Sequence, residues 1–427
     1  MSPSSGGVRL PQHVAPSADA GARATRRLRS RLRLRCITVL GFIGVALCSN
    51  SAWAQIDPTR RDLIEFGYDQ PLEGHAPVAA YVDYYLSRPQ FGDAEHALRV
   101  AISPVYLDGE LDIRHVLGPD TDVGIGVNGG GFAFDYNEIR AGRWLRDQSF
   151  TGHGGGATLA LYHLFNPGAV IPLNGILQAD FRYVAYVRDS HNPPAFVLPQ
   201  NQPIGSFRAG LRFGGIEPVL APAQAAELSA WYEGQVRLEP GAYGYAGDRR
   251  VQSTVHHFWA RGLLTYTLPQ TSRKLSLQMI GGASIHPDRL GAYRLGGTFT
   301  LASEFPLLLP GYYEGELSAR NFILVNAAYA MPIDAAEHWQ LGIGAATAHI
   351  DYTPGLEQPR AWNTGMSVSL AYAPATAGWK ASIVYGHAFD AIRNGHRGGD
   401  SVSMMMEFDL ERLGYVKADA TSNRHPD

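Results

Sequence analysis

Apolar and polar residues alternate along much of the chain, over stretches of about ten residues. Near the end of the sequence, the apolar positions are Val402, Met404, Met406, Phe408 and Leu410. Between them lie mostly serines and acidic residues. Residues 178–187 and 207–213 alternate in the same way. Because successive side chains of a strand point to opposite faces, this pattern predicts an all-β chain.

The length of these strands and the positions of the aromatic residues separate two classes of all-β protein. Many candidate strands reach about ten residues, whereas strands of globular proteins usually have about five or six. Aromatic residues cluster near strand ends, as at Trp339 and Tyr352. Outer-membrane barrels combine a lipid-facing apolar side, a polar lumen and aromatic ends. We therefore predict a transmembrane antiparallel β-barrel, with a soluble β fold as the alternative.

The sequence divides into about sixteen candidate strands, which form a barrel over residues 97–411. Their approximate ranges are 98–107, 109–116, 121–127, 130–139, 155–165, 174–187, 205–213, 227–238, 254–268, 274–285, 294–302, 319–332, 338–352, 362–373, 378–390 and 400–410. An even number of strands suits closure, which leaves no edge exposed to lipid. With periplasmic termini, short links are expected after even-numbered strands. The long links 140–154, 188–204 and 239–253 do not meet this expectation.

The N-terminal segment has the pattern of a secretory signal peptide. Seven arginines lie within Arg23–Arg35, and the apolar run Cys36–Cys48 follows. The small-residue site Ala52-Trp53-Ala54 comes next, so we predict a leader over residues 1–54 that is cleaved after Ala54. A transmembrane anchor is the weaker alternative, because the run is shorter than the ~20 residues that span a bilayer. The expected location is the bacterial outer membrane.

Removing the leader changes the charge balance and the cysteine content. Residues 1–54 hold eight arginines, one aspartate and both cysteines, so the remainder has 28 basic and 38 acidic residues and a net charge of −10. Such a chain is a poor ligand for nucleic acid, which requires lysine and arginine at phosphates. Residues 55–96, with a possible short helix at Pro77–Arg88, are interpreted as a periplasmic lead-in or a lumen plug. Residues 412–427 are a polar tail.

Three motifs that resemble catalytic or binding signatures lack the context that their chemistry needs. Residues Gly124–Gly129 match a dinucleotide-binding pattern, but a strand follows where a helix is required. Residues His153–Gly156 resemble the oxyanion loop of lipases, but no G-x-S-x-G nucleophile is present. His256 and His257 are consecutive and point to opposite faces of a regular strand. We therefore predict no enzyme activity, no cofactor and no metal.

One segment, Tyr293–Ile333, resembles the C-terminal part of the BamA/TamA outer-membrane assembly superfamily. The resembling residues are Gly296 and Gly297 in a strand, Pro310, Gly311 and Tyr312 in the following loop, and the alternating strand that ends at Ile333. The family's barrel has sixteen strands, with its signature loop between the eleventh and twelfth. The segmentation independently places residues 303–318 between those two strands.

The segment also departs from the family's pattern. The family has an arginine directly before the Gly-Tyr pair, and this arginine binds an acidic partner on strand thirteen. Here that position is Pro310, and Asp351 on strand thirteen is not a clear counterpart of the acidic motif. Glu314, Glu316 and Arg320 are the candidates for another contact. The chain also resembles a short form of the family without its periplasmic delivery domains.

The resemblance implies a role in inserting or translocating proteins or lipids at the outer membrane. Its partners are outer-membrane lipid and a client protein or a periplasmic delivery partner, and a weak seam between strands 98–107 and 400–410 perturbs the bilayer. The signature loop acts either as a plug or rim contact, or in gating and client contact. The alternatives are a structural or surface-interaction barrel and a passive pore. The lumen charges relevant to a pore are Arg182, Arg208, Arg212, Arg320, Asp351 and Glu407.

Overall fold

The computed structural model describes residues 59–216, 222–298, 305–374 and 377–415. Within these ranges, sixteen long antiparallel strands form one closed sheet, as the sequence predicts. The strands are β1 (Arg61–Pro71), β2 (Ala79–Arg88), β3 (His96–Ile102), β4 (Tyr106–Ile113), β5 (Thr121–Gly130), β6 (Thr151–Leu164), β7 (Leu173–Val187), β8 (Gln202–Gly215), β9 (Ala225–Arg237), β10 (Thr254–Leu268), β11 (Arg273–Ile285), β12 (Leu317–Pro332), β13 (Trp339–Tyr352), β14 (Trp362–Tyr372), β15 (Trp379–Arg393) and β16 (His396–Asp409). The predicted leader 1–54 and most of the predicted tail 412–427 lie outside the described residues.

The barrel closes between β1 and β16, from Leu63 opposite Asp409 to Pro71 opposite Ser401. This corrects the prediction that residues 55–96 precede the barrel, because most of that segment forms β1 and β2 of the wall. The predicted seam between 98–107 and 400–410 is also wrong. The predicted short helix at Pro77–Arg88 is also wrong, because Ala79–Arg88 form strand β2. Aromatic residues lie on both faces of this strand, as at Tyr84 and Tyr85.

Two further predicted strands are wrong. Residues 130–139 leave the wall after Gly130 and fold into a long loop. Within 294–302, only Tyr293–Leu295 is a strand, paired with the start of β12, and 299–302 lie outside the described part of the chain. The total of sixteen is nevertheless confirmed, because β1 and β2 replace these two. With the strands numbered as observed, every long link follows an odd-numbered strand, so all of the long links lie at one end of the barrel.

The two faces of the wall differ in polarity. Outward side chains are apolar and exposed; Phe181 is 62% exposed, Leu228 66% and Ile343 55%. At the short-link end, Trp339, Tyr372 and Trp379 form a band on the outer face, with neighbouring ring centroids 4.9 and 4.8 Å apart. An apolar outer band bordered by aromatic rings is the surface of a membrane-spanning barrel. Among the described residues, no helix has the length and apolar character needed to cross a membrane.

The orientation of the barrel follows from its links. The links that follow odd-numbered strands include 131–150, 188–201, 238–253 and 286–316, and both chain ends lie at the opposite end. In outer-membrane barrels, the short turns are periplasmic and the long loops extracellular. The link 286–316, of which the structure describes residues 286–298 and 305–316, therefore begins and ends at the extracellular end. It connects β11 to β12, which is where the sequence places the signature loop.

Candidate functional site

Residues 305–316, the second of the two described parts of the link 286–316, are folded into the lumen rather than over the rim. We call residues 305–316 the inserted loop. Leu309, Tyr312 and Tyr313 are each at most 1% exposed. These three apolar side chains are thus covered by the inner wall of the barrel.

An ion pair that spans 77 residues in sequence anchors the inserted loop to the wall. Arg393, at the end of β15, donates to both carboxylate oxygens of Glu316 at 2.8 and 2.7 Å. Both side chains are almost completely buried, with 3% and 1% exposed. The Arg393 guanidinium also lies 3.6 Å from the ring centroid of Tyr313. The acid is therefore on the loop and the base on the wall, which reverses the arrangement that the family resemblance implies.

The loop backbone lies directly against glycine positions of the wall. A Cβ at Gly365 of β14 would collide with the carbonyl oxygen of Pro310. A Cβ at Gly311 would collide with the backbone of β15 at Ala388, and Gly311 has a φ of 82°, which favours glycine. Pro310 and Gly311, singled out in the sequence, thus mark the point where the loop touches the wall most closely.

An apolar cluster fills the space between the inserted loop and β11–β15. Tyr312 donates a hydrogen bond to Asn363 of β14 at 3.2 Å, so its hydroxyl has a partner in the core. Gly296 and Gly297 have positive φ angles, 138° and 84°, and the amide of Gly297 donates to the carbonyl of Tyr312 at 3.2 Å. The buried members of the cluster are Ile280, Leu295, Leu309, Tyr312, Leu317, Ala319, Phe322, Leu324, Ala346, Ala348, Ile350, Ala388 and Ala391.

The other end of the inserted loop reaches the opposite wall. The Phe305 ring lies edge-on to Trp231 of β9 and Trp259 of β10, with centroids 5.3 and 5.7 Å away. The guanidinium of Arg261 lies 4.4 Å from the same ring. On the first side, Thr298 and Ser401 of β16 share a hydrogen bond of 2.9 Å. The loop therefore extends across the lumen, from β9–β10 to β14–β16.

Glu314 lies on the inserted loop without an opposite charge. Burial, and secondly the negative charge of Asp69 on β1, raise the pKa of Glu314 from 4.5 to about 8. Its Oε2 is buried and has no hydrogen-bond partner in the described part of the chain. At neutral pH the side chain is therefore mostly protonated, unlike Glu316, which has Arg393 as a partner.

Four of the six predicted lumen charges face the lumen. Arg208 pairs with Glu233 at 3.0 Å, Arg182 with Asp180 at 3.3 Å, and Lys380 with Glu407 at 2.8 Å. Arg212 approaches Glu227 at 3.7 Å, and Glu227 also accepts two hydrogen bonds from Arg261, at 3.0 and 2.6 Å. Each of these four charges therefore lies beside an opposite charge on the inner wall, and Arg212 shares Glu227 with Arg261.

The other two predicted lumen charges, Arg320 and Asp351, are a correction. They pair with each other at 2.6 Å, and their side chains are 46% and 42% exposed. Asp351 lies on the same face of β13 as the lipid-facing Ile343, while Ala346, Ala348 and Ile350 face inward. The register of β12 shifts between Ala319 and Asn321, so that Arg320 bulges outward.

Over the extracellular end, the links 131–150, 188–201 and 238–253 pack together into a lid. Glu138 lies at its centre and is 0% exposed. Three arginines converge on this carboxylate: Arg140 and Arg249 from the lid, the latter at 3.4 Å, and Arg289 from the link 286–316 at 2.7 Å. A hydrophobic cluster of four aromatic residues and one valine supports it: Tyr136, Phe150, Phe196, Tyr243 and Val251.

The motifs rejected as catalytic have structural roles. Residues 124–129 lie within β5. Gly152 and Gly154 of β6 have inward positions against which Phe134 packs, so a Cβ at either would collide with that residue. His257 faces inward and contacts the carbonyl of Gly291 at 2.6 Å, whereas His256 contacts the Tyr232 hydroxyl at 3.0 Å. No group of three or more His, Cys, Asp or Glu side chains is arranged to hold a metal ion in the residues that the structure describes.

Comparison with solved structures identifies similar barrels. CdiB from Acinetobacter baumannii matches with a TM-score of 0.54 and 9% identity, covering 82% of this chain and 60% of that one. CdiB from Escherichia coli matches with a TM-score of 0.52 and 14% identity, covering 82% and 64%. The chain shares its barrel fold with CdiB. BamA from Haemophilus ducreyi, lacking POTRA domains 1–3, matches with a TM-score of 0.49 and 10% identity, covering 81% and 70%.

The chain thus spans less than two thirds of the length of either CdiB structure. By sequence, no family model and no curated protein matches. The resemblance noted in the sequence therefore has its support in the fold: a sixteen-stranded outer-membrane type of barrel.

Sequence reasoning missed several residues of the site. Arg393 gave no signal, because its partner is distant in sequence and it lies at the end of a strand among exposed residues. Trp231 and Arg261 were not singled out either, although both occupy polar-face positions of long alternating strands, and a bulky aromatic there is a signal that the lumen is filled. Glu138 lies in a segment that was assigned to a strand.

Proposed function

We propose that the protein is a loop-gated outer-membrane barrel that helps proteins or lipids insert into, or cross, the outer membrane. The observation that carries this proposal is the inserted loop, which extends across the lumen and is anchored by the buried Glu316–Arg393 pair. A loop that fills the lumen and is fixed by a buried ion pair is not expected in a pore that is always open. The barrel fold shared with CdiB and the family resemblance of Tyr293–Ile333 support the same class.

The gating step follows from how the loop is held. Its apolar residues pack against the wall through van der Waals contact, and one buried ion pair fixes its end. Such a pair contributes little net stability but is costly to break on one side only. The loop is therefore either fully docked or released as a unit, and a client that competes for the inner face of β12–β15 displaces it.

A disulfide across the loop contact tests the proposal. Thr298→Cys with Ser401→Cys places two sulfurs where hydroxyl oxygens are 2.9 Å apart, and the only native cysteines lie in the predicted leader. In planar bilayers, we expect small, flickering conductance steps from the wild type and none from the oxidised variant, with recovery after reduction. In vesicles, the wild type should accelerate folding of an unfolded eight-stranded barrel, and the oxidised variant should not. The single variant Ser401→Cys is the control.

The charged inner wall of β3–β9 favours a second function, passage of small polar solutes. This function predicts large, steady, ion-selective conductance that the Thr298–Ser401 disulfide does not change. That result, together with no acceleration of barrel folding, would overturn the gated-assembly proposal.

A further inference from the structure

A polar cavity of 260 Å³ lies in the lumen behind β3 and β4, on the side away from the inserted loop. Side chains from β3 to β9 line it, together with Ala133 and Phe134 of the lid. Its walls carry both signs of charge. The charged lining residues are Arg99, Asp108, Glu110, Asp180, Arg182, Arg208 and Glu233. A cavity of this kind matches a small group that itself carries both a positive and a negative charge.

Arg182 is the residue in this cavity with donors to spare. It pairs with Asp180 through one nitrogen at 3.3 Å, and its Nε is buried without a hydrogen-bond partner among the described residues. Asp180, in contrast, also accepts hydrogen bonds from Asn128 at 2.8 Å and Thr158 at 3.3 Å. Guanidinium groups bind phosphate oxygens through paired N–H donors. Arg182 is therefore positioned for an anionic group that enters the cavity.

The wall in front of the cavity is lower than elsewhere. β3 has 7 residues and β4 has 8, whereas a membrane-spanning strand needs about 9–11. The β2–β3 ladder begins only at Tyr84 opposite Ile102, so Ala79–Asp83 of β2 extend beyond the end of β3. The tip of the β3–β4 hairpin consequently stands lower than the extracellular end of β2.

The rim of this low wall is apolar, and the cavity reaches it. Ile102 is 45% exposed, Val105 42%, Val82 51% and Phe132 52%. Tyr106, at the tip of the hairpin, is 39% exposed and also lines the cavity. Tyr106 therefore lies at the boundary between the apolar outer rim and the charged cavity.

We propose that this cavity binds the head group of an outer-leaflet lipid that carries both a phosphate and an amine, with the acyl chains remaining against the apolar rim. Arg182 binds the phosphate, and Asp108 binds the amine. The volume is just below the ~300–1,000 Å³ of most ligand pockets, which suits a head group rather than a whole lipid. The inference goes beyond the proposed function, because a barrel whose loop never moved would still hold a lipid here.

Native mass spectrometry with phosphatidylethanolamine as the probe tests this site. We expect one lipid to remain bound to the wild type after detergent removal, and Arg182→Gln to bind at least about tenfold more weakly, since a charge-assisted hydrogen bond is lost. Arg320→Gln is the matched control, because Arg320 lies outside the lumen. Asp108→Asn provides a second cavity variant, and heat-modifiable migration verifies that each variant is folded.

Two further measurements show whether the bound molecule is a lipid or a free solute, and whether the lipid reaches the cavity at the hairpin tip. Soluble phosphoethanolamine should compete only weakly, because it lacks the acyl chains that the rim contacts. A photo-reactive phenylalanine analogue at position 106 should form a lipid adduct in membranes, and the adduct should disappear in the Arg182→Gln background. Equal lipid retention by wild type and both cavity variants would overturn the proposal. So would soluble phosphoethanolamine binding as tightly as the lipid, since the site would then belong to a free solute.

Discussion

The two halves of the lumen follow the same strand alternation but are filled in opposite ways. Along β12–β15, the inward positions are small or apolar, such as Ala346, Ala348, Gly365 and Ala388, and the inserted loop covers them. Along β3–β9, the inward positions carry paired charges, and a cavity remains. Small side chains allow another backbone to approach, whereas long charged ones prevent it.

Under the proposed function, the two halves have different tasks. The half formed by β12–β15 binds either the inserted loop or a client that replaces it, because its contacts are mainly van der Waals. The half formed by β3–β9 is held by ion pairs on its inner wall, such as Arg208–Glu233 at 3.0 Å and Arg182–Asp180 at 3.3 Å. Substitutions on the inner face of β12–β15 should therefore change gating, whereas substitutions on the inner face of β3–β9 should change what the lumen binds.

Loss of the loop anchor should have the largest effect. Glu316→Ala or Arg393→Ala leaves one buried, unpaired charge, and such losses cost about 3–5 kcal/mol. We expect the free energy of unfolding to fall by roughly that amount in denaturant titrations, and conductance events to become larger and longer. The exposed Arg320–Asp351 pair, with an N–O distance of 2.6 Å, is the matched control. Arg320→Ala should cost only about 0–1 kcal/mol, and an equal loss in both would refute the anchor.

Adding a side chain at the contact between the inserted loop and the wall should have the next largest effect. Gly365→Val adds a side chain where the Pro310 carbonyl oxygen lies, and overpacking of this kind costs about 1–3 kcal/mol. The loop should then become accessible to protease added outside intact vesicles. Gly205→Val is the control, because nothing lies within 4 Å of a Cβ at Gly205. Equal protection of the loop in both variants would show that it does not press against Gly365.

The alternation predicted most of the fold, and its errors have physical causes. Strands β3–β16 were predicted because apolar residues recur at every second position along them. β2 was missed because aromatic residues occur on both of its faces, as at Tyr84 and Tyr85. β1 was missed because apolar residues occur on both of its faces, as at Leu63 and Ile64. Residues 130–139 alternate because Phe132, Phe134 and Tyr136 are spaced by two, but these rings serve the lid and the inner face of β6.

The site was less predictable than the fold. The position of the signature loop follows from strand counting, and the counting succeeded because two errors compensated. The pairing of Glu316 with Arg393 depends on which strand lies opposite the loop, and sequence spacing carries no information about that. The outward position of Arg320 depends on a register shift that a strict period of two does not reveal.

Removing the ring at the far end of the inserted loop should have an intermediate effect. Phe305 contacts Trp231, Trp259 and Arg261, and each aromatic or cation–π contact is worth about 0.5–1.5 kcal/mol. Phe305→Ala should therefore cost about 1–3 kcal/mol and shift tryptophan emission. Phe305→Leu keeps apolar bulk without the ring and should retain more stability. Unchanged emission in Phe305→Ala would mean that the ring does not bridge the lumen.

The smallest expected effect is a pH dependence from Glu314. Burial raises its pKa from 4.5 to about 8, so the docked loop holds this proton more tightly than the unfolded chain does. The group therefore stabilises the docked state below about pH 4.5, and this contribution is lost as the pH rises to about 8. Conductance events should become more frequent between pH 6 and about 9 in the wild type. Glu314→Gln, which mimics the protonated form, should remove most of this dependence while leaving the Glu316–Arg393 anchor intact. A pH profile that is identical in the variant would assign the titration to another group, with Asp69 as the nearest candidate.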